Sequence, residues 1–309
     1  MPPGEFLEAY ALSGAAYGLV FVLGALFGSF GNVCIYRWPP SEEHPNGQSV
    51  VAPGSHCFAC GKPVRWFDNI PILSYFILRG KCRDCGIGFS PRYMFVEAAL
   101  GLIWVALYYQ IVALAYTDLP LGQRAGMFSV YASLTFVLMV IAFIDLDHKL
   151  ILDKITFPSI VIFYGLGMTL PGAVWWHGLV GIAVGYGVIR AVSDGYYFLT
   201  KREGLGYGDG KLLALIGAIK GWKAVLFSLF AGSMLGSVIG ITVLLIVRRG
   251  NPPVEEGDED PGEDAPESTS LRHVELPFGP FLVMGAIAYL FLESWLAISL
   301  GGLWGTGGG

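Results

Sequence analysis

Eight apolar runs separated by polar stretches constrain what this 309-residue chain can fold into. They cover about 10–36, 94–116, 125–146, 154–171, 173–193, 211–220, 222–247 and 277–299. A helix that crosses a bilayer needs about 20 mostly apolar residues. In lipid every backbone amide must be satisfied within the protein, which leaves helices as the form such runs can take. The expected class is an all-α polytopic membrane protein with about eight transmembrane helices. A chain that is 54% hydrophobic and 14% charged agrees with it. The sixth run is weak, because only Leu212 to Ile219 separates Lys211 from Lys220. It is expected to form a short, tilted or re-entrant helix, each of which needs protein around it. The opening Met1-Pro2-Pro3-Gly4-Glu5 has no basic leader region, so the first run reads as a retained span. Its Gly24 and Gly28, spaced i, i+4, suit a close helix crossing.

Five segments follow: a first span to residue 36, an insert over 37–93, a helical core over 94–247, a loop over 248–276 and a last span with its tail over 277–309. The net charge of −5 is local in origin. Residues 255–267 hold eight acidic residues and no basic one, and without them the balance is +3. That loop reads as disordered, and nothing in the charge pattern points to nucleic acid. Basic residues cluster on the cytoplasmic side of membrane proteins. With the N-terminus outside, sixteen Lys and Arg fall on inner segments and only Arg124, Lys220 and Lys223 on outer ones. The insert is thereby placed in the cytoplasm, with Arg37 marking the interface.

The insert contains Cys57-Phe58-Ala59-Cys60 and Cys82-Arg83-Asp84-Cys85. Two CxxC knuckles supply four thiolates, which close a tetrahedral zinc site and leave no open position for catalysis. A redox dithiol or two disulfides are the alternatives, and a cytoplasmic face disfavours disulfides. His56 adjoins the first knuckle but four cysteines suffice, so it reads as solvated. The insert also carries an apolar stretch, Ile70 to Leu78, too short to cross a bilayer.

Carboxylates at membrane faces need a partner or a task. Asp145 ends the third run within Ile144-Asp145-Leu146-Asp147. Asp209 begins the sixth within Gly206-Tyr207-Gly208-Asp209-Gly210-Lys211. Two spans, out and back, lie between them, so both return to one face. Two carboxylates sharing a proton can activate water and polarise a peptide carbonyl, the chemistry of an aspartyl protease. The plain alternative is interfacial aspartates that cap helices, the reading given to Asp147, Asp153 and Asp194. The residues alone leave both open.

Taken together these features resemble the bacterial type IV prepilin leader peptidase/N-methyltransferase family. The resemblance runs through Gly28-Ser29-Phe30-Gly31-Asn32-Val33-Cys34-Ile35-Tyr36-Arg37, the insert with Asn69 to Ser74 and Arg79-Gly80-Lys81-Cys82, and Ser90-Pro91-Arg92-Tyr93 with Glu97. It continues through Ile144 to His148, Asp153, Gly206 to Asp209 and Pro277-Phe278-Gly279-Pro280-Phe281. Two departures are Leu152 before Asp153, where the family usually has proline, and Cys34, where it usually has an aliphatic residue. The resemblance implies Asp145 and Asp209 as the catalytic pair of an inner-membrane enzyme. It implies cleavage of leader peptides from prepilins and pseudopilins, then methylation of the new amine by S-adenosylmethionine. Partners would be those substrates, the lipid bilayer and pilus or secretion assembly proteins. No glycine-rich dinucleotide fingerprint is present. The resemblance places the methyl-donor site in the first half, with Gly80 and Glu97 as candidates. Gly80 also reads as a turn beside a knuckle, and Glu97 as an interface carboxylate. Two other functions stay open: a membrane protease without methylation, and a non-catalytic zinc-containing scaffold.

Overall fold

The computed structural model describes residues 3–201, 206–250 and 277–299. Of the loop over 248–276 expected to be disordered, residues 248–250 are helical and the rest, with the acidic run 255–267, lie outside the described residues. The described residues form nine α-helices and no β-strand. A short α1 (Pro3–Ala11) leads into α2 (Gly14–Arg37). The insert follows, with a 3-10 turn at Trp66–Asn69 and α3 (Leu73–Ile77). Next come α4 (Arg92–Tyr108), which widens into a π-helical end at Tyr109–Ala115, and α5 (Leu121–His148). Then come α6 (Asp153–Gly167), α7 (Trp175–Thr200), α8 (Tyr207–Gly250) and α9 (Gly279–Ser299).

The all-helical membrane class is as expected. By length and apolarity five helical stretches qualify to cross a bilayer: Gly14–Arg37, Arg92–Ala115, Leu121–His148, Tyr207–Val243 and Gly279–Leu296. This is fewer than the eight runs read from sequence. Helix α6 has 15 residues, or about 22 Å at 1.5 Å per residue. Helix α7 is long enough at 26 residues but carries Arg190 and Asp194. The sixth and seventh runs form one helix, α8, broken at Gly221, whose φ of 73° and ψ of −176° no helical residue adopts. From Tyr207 to the break α8 spans about 21 Å, so the sixth run is short, as its lysines indicated. Leu212, Leu213 and Leu215 in it have no exposed surface. Protein surrounds this half-helix.

Glycine controls how closely the helices approach. A Cβ on Gly24 would lie 2.8 Å from the Gly101 Cα, and one on Gly28 2.7 Å from the Glu97 Cα. The i, i+4 pair therefore brings α2 against α4. A second crossing is tighter still. A Cβ on Gly181 of α7 would lie 2.2 Å from the Gly217 carbonyl oxygen of α8, and one on Gly185 2.6 Å from the Ala214 nitrogen. Small residues permit this contact between backbones, where dispersion and helix alignment replace the hydrophobic effect.

Two of the three cations assigned to outer segments lie inside the bundle rather than on its surface. The Arg124 side chain pairs with Glu8 and donates to the Val112 carbonyl. Lys220 pairs with Glu293 and lies over the Tyr131 ring. A charge in lipid is tolerated when it is paired.

Candidate active site and metal centre

Asp145 lies in the last turn of α5, and Asp209 in the first turn of α8. They are 6% and 8% exposed. Asp209 lies within electrostatic reach of Asp145, so the fold brings the two carboxylates together. Asp145 Oδ2 accepts a hydrogen bond of 3.0 Å from the Gly279 amide at the start of α9. Among the described residues no cation forms an ion pair with either side chain.

The neighbouring aspartates differ in this respect. Asp147 pairs with Arg92, Asp153 with Lys211 and Asp194 with Arg190. Tyr207 also donates to Asp194 at 3.4 Å. Asp153 has the position expected of an acidic residue in a helix's first turn. Arg92, Lys211 and Arg190 are thus engaged with these neighbouring carboxylates. Asp145 and Asp209 are left as a buried pair. Gly279 packs directly on the pair, since a Cβ there would lie 2.5 Å from Asp145 Oδ2, and Gly208 packs on Ile151, where a Cβ would lie 3.1 Å from that of Ile151.

The insert sits over the same end of the bundle. Arg37, expected at an interface, is buried and donates to the Ser49 and Gly54 carbonyls. Lys154, at the start of α6, donates to Asn46 O at 3.0 Å and to Trp38 O. Arg92 reaches from the start of α4 to Asp147, with its guanidinium 4.9 Å from the Phe143 ring centre.

Within the insert the two knuckles repeat one backbone pattern. Gly61 N–H donates to Cys57 O and Gly86 N–H to Cys82 O, both at 2.9 Å. Both glycines have positive φ, 68° and 72°, which lets the chain turn back over its sulfurs. The Sγ atoms of Cys57, Cys60, Cys82 and Cys85 all lie within 4.8 Å of one another. The 3.8 Å between Cys57 and Cys85 Sγ equals the edge of a tetrahedron with metal–sulfur bonds of about 2.3 Å. Amides of Cys60 and Ala59 pull the Cys57 thiol down to about 6. His56 bonds the Gly54 carbonyl through Nδ1 at 3.1 Å and stands outside the cluster. Arg83, from the second knuckle, grips Asp68 with bonds of 2.6 to 3.1 Å. That hydrogen bonding holds the Asp68 carboxyl below its usual range.

A cavity of about 550 Å³ opens between the insert and helices α2 and α4. Its wall includes Glu97, Asn32, Tyr36, Tyr75, Phe89 and Tyr93. The volume is that of a small-molecule site. Glu97 is 8% exposed, and its Oε2 accepts a 2.7 Å hydrogen bond from the Ile72 amide. Ile72 has a φ of 64°, a costly conformation for a β-branched residue. Gly80 is not on the cavity wall. It turns at φ 66° behind Tyr75, and a Cβ there would lie 3.1 Å from the Tyr75 hydroxyl. The two candidates thus occupy different places, Glu97 at the cavity and Gly80 behind one of its aromatic walls. Sequence reasoning missed the cavity, Arg92's bridging role and the Gly279 amide. The Pro277 to Phe281 motif was the available signal for the last.

A helical membrane protein with a buried aspartate pair and a four-cysteine cluster in an insert at the same end of the bundle defines a narrow class. Family models match both halves: "Bacterial Peptidase A24 N-terminal domain" over residues 22–111 and "Type IV leader peptidase family" over 132–241. Proteins named prepilin leader peptidase/N-methyltransferase match nearly end to end. That of Myxococcus xanthus is 31% identical, over 97% of this chain and 98% of its own. Those of Aeromonas salmonicida and Stutzerimonas stutzeri are each 32% identical, over 93% and 99% of this chain and 94% and 96% of theirs. No solved structure gives a significant match. The chain belongs to the type IV leader peptidase family.

Proposed function

We propose that this protein cleaves leader peptides from prepilins or pseudopilins and methylates the new N-terminal amine. The observation that carries the peptidase reading is the buried pair of Asp145 and Asp209, within electrostatic reach of each other and in no ion pair with a cation among the described residues. One carboxylate takes a proton from water as the oxygen attacks the scissile carbonyl, and the other, protonated, donates to the carbonyl oxygen. The tetrahedral centre then collapses, the C–N bond breaks and the departing amine takes a proton. A Cβ at Gly206 would meet only Asp209 Oδ2, at 3.9 Å, which leaves room on that side of Asp209 for an extended peptide backbone. The excess of basic residues on the insert's side supports an active site facing the cytoplasm and an N-terminus facing out. It supports residence in the inner membrane, beside the pilus or secretion machinery that uses the products.

Cys57, Cys60, Cys82 and Cys85 fit zinc in a structural role, because four thiols gather within 4.8 Å of one another, one pair at the 3.8 Å edge of a tetrahedral shell, and leave no open position. The donor cavity under the insert fits S-adenosylmethionine, which supplies an activated methyl group for transfer to an amine. Glu97 offers a buried carboxylate to a cationic donor, and Tyr36, Tyr75 and Tyr93 offer aromatic faces. The Ile72 amide holds Glu97 Oε2 at 2.7 Å, so its orientation is set before any ligand binds.

Incubating the purified protein with a prepilin peptide and S-adenosylmethionine tests the whole reading. Mass analysis is expected to show leader loss followed by a single methyl increment. Leader loss without the increment leaves a protease alone. Neither change would refute the enzyme and leave a scaffold.

A further inference from the structure

The amino-terminus of α9 is built to present a single backbone donor. A helix leaves its first four amides without partners inside the helix. In α9 these belong to Gly279, Pro280, Phe281 and Leu282. Pro280 has no N–H. Phe281 and Leu282 both donate to the Phe278 carbonyl, at 3.1 and 3.2 Å. The Gly279 amide alone remains, and it donates to Asp145 Oδ2 at 3.0 Å. It is the one hydrogen bond found for this carboxylate among the described residues. Residue 279 must also lack a side chain, since a Cβ would stand 2.5 Å from that same oxygen.

From this we infer that Gly279 is the positioning residue of the aspartate pair: its amide fixes the Asp145 carboxylate and gives its two oxygens different tasks. The inference rests on the dyad reading above. Oδ2 is engaged as an acceptor, so the shared proton is kept from it and falls to Oδ1 or to Asp209. A carboxylate on an exposed helix end could rotate and exchange its oxygens. Here the Gly279 amide at the start of α9 holds it in one orientation. Helix α9 thereby reaches the reaction without touching substrate, and Asp145 caps it across two elements instead of from its own chain end.

The test measures steady-state cleavage of a prepilin peptide by Gly279→Ala, Pro280→Ala and the Asp145→Asn and Asp209→Asn variants in detergent. Gly279→Ala is expected to lose about 10- to 100-fold in kcat, the range for a hydrogen bond to a charged group, with KM unchanged. Pro280→Ala keeps the Gly279 amide and is expected to stay within twofold of the parent. Equal losses in both variants, in step with a lowered melting temperature, would reduce Gly279 to a helix-folding residue. Full activity in Gly279→Ala would also overturn the proposal. If both asparagine variants still cleave, the dyad reading itself fails, whatever Gly279 does. A measurement free of activity covers a misfolded Gly279→Ala. Labelling phenylalanine carbonyls with ¹³C and glycine amides with ¹⁵N selects the three Phe-Gly pairs of the chain, at 28, 31 and 279. Asp145→Ala is expected to move one amide proton of the three upfield. No movement means no such hydrogen bond.

Discussion

The insert and the helical bundle hold their functional residues by opposite means. The insert has little apolar interior: Trp66, Leu73, Phe76 and Ile77 are all exposed. It is held by sulfur clustering, by ion pairs such as Arg83–Asp68, and by Arg37 and Lys154 gripping its backbone. The bundle around Asp145 and Asp209 is held by glycine-mediated backbone contact and buried aliphatic side chains. A small domain without a core depends on its staple, whereas a bundle in lipid depends on shape. The two regions should therefore fail under different insults, and the two proposed activities should fail with them.

The largest effect is expected at the pair itself. Asp145→Asn or Asp209→Asn should lower cleavage roughly 10⁴-fold while the protein remains in the membrane. Asp147→Asn and Asp153→Asn break exposed ion pairs and should each cost less than about tenfold. Cleavage rates on one prepilin peptide compare all four. Near-normal cleavage by Asp209→Asn would remove the basis of the comparison. Methylation of a peptide already trimmed should survive Asp145→Asn, because the donor cavity lies in the other region.

The next effect is removal of the metal. Metal analysis of freshly purified, reduced protein should find one zinc per chain. Structural zinc binding is worth about 10–16 kcal/mol in small domains, so Cys57→Ser or a strong chelator should unfold the insert. Amide exchange over residues 55–90 should then lose protection, while the α7–α8 contact keeps its own. Methylation is expected to vanish and cleavage to fall less, through a misplaced leader. Protection lost equally in both regions would show that they fold as one unit.

The reciprocal change strikes the bundle. Gly181→Ala drives a Cβ into the Gly217 carbonyl, and overpacking of this kind costs about 1–3 kcal/mol. Thermal unfolding in detergent should register that loss. Cleavage should drop because α8 carries Asp209, with zinc content unchanged.

How far the sequence was legible follows the same division. Short-range signals were readable: CxxC spacing announced the cysteine cluster, and the lysines around Leu212 to Ile219 announced a short half-helix. The i, i+4 glycines of α2 announced a crossing, although its partner, α4, was not readable. The return of Asp145 and Asp209 to one end followed from counting runs. What could not be read depended on long-range contact. The Gly178, Gly181 and Gly185 stripe matters only because Gly217 lies opposite. Likewise Lys220 looked like an outer surface charge until Glu293, on α9, came beside it. Five described helices meet the length and apolarity of a span against eight apolar runs; in the first part of α8 the apolar residues Leu212, Leu213 and Leu215 are buried in protein, which hydropathy cannot tell from burial in lipid.

The finest separation of the two regions should come from Gly80→Ala. Gly80 adopts φ 66° and lies directly behind Tyr75. An alanine there meets left-handed strain of about 1–2 kcal/mol. Its Cβ also comes within 3.1 to 3.2 Å of the Tyr75 ring and hydroxyl. The backbone is pinned on both sides, by Gly80 N–H to Tyr75 O at 2.9 Å and Phe89 N–H to Gly80 O at 2.8 Å. The aromatic ring is the part able to give way, and its far side faces the donor cavity. The KM for S-adenosylmethionine should therefore rise several-fold, with zinc content intact and cleavage unchanged. Tyr75→Ala removes the obstructing ring, so adding it to Gly80→Ala should cost no more than Tyr75→Ala alone, a non-additivity expected of residues in contact. A bulkier valine at position 80 should enlarge the effect in the same direction. If cleavage instead falls in step with methylation across this series, the insert governs both reactions, and the contrast between a stapled region for one chemistry and a packed region for the other does not hold.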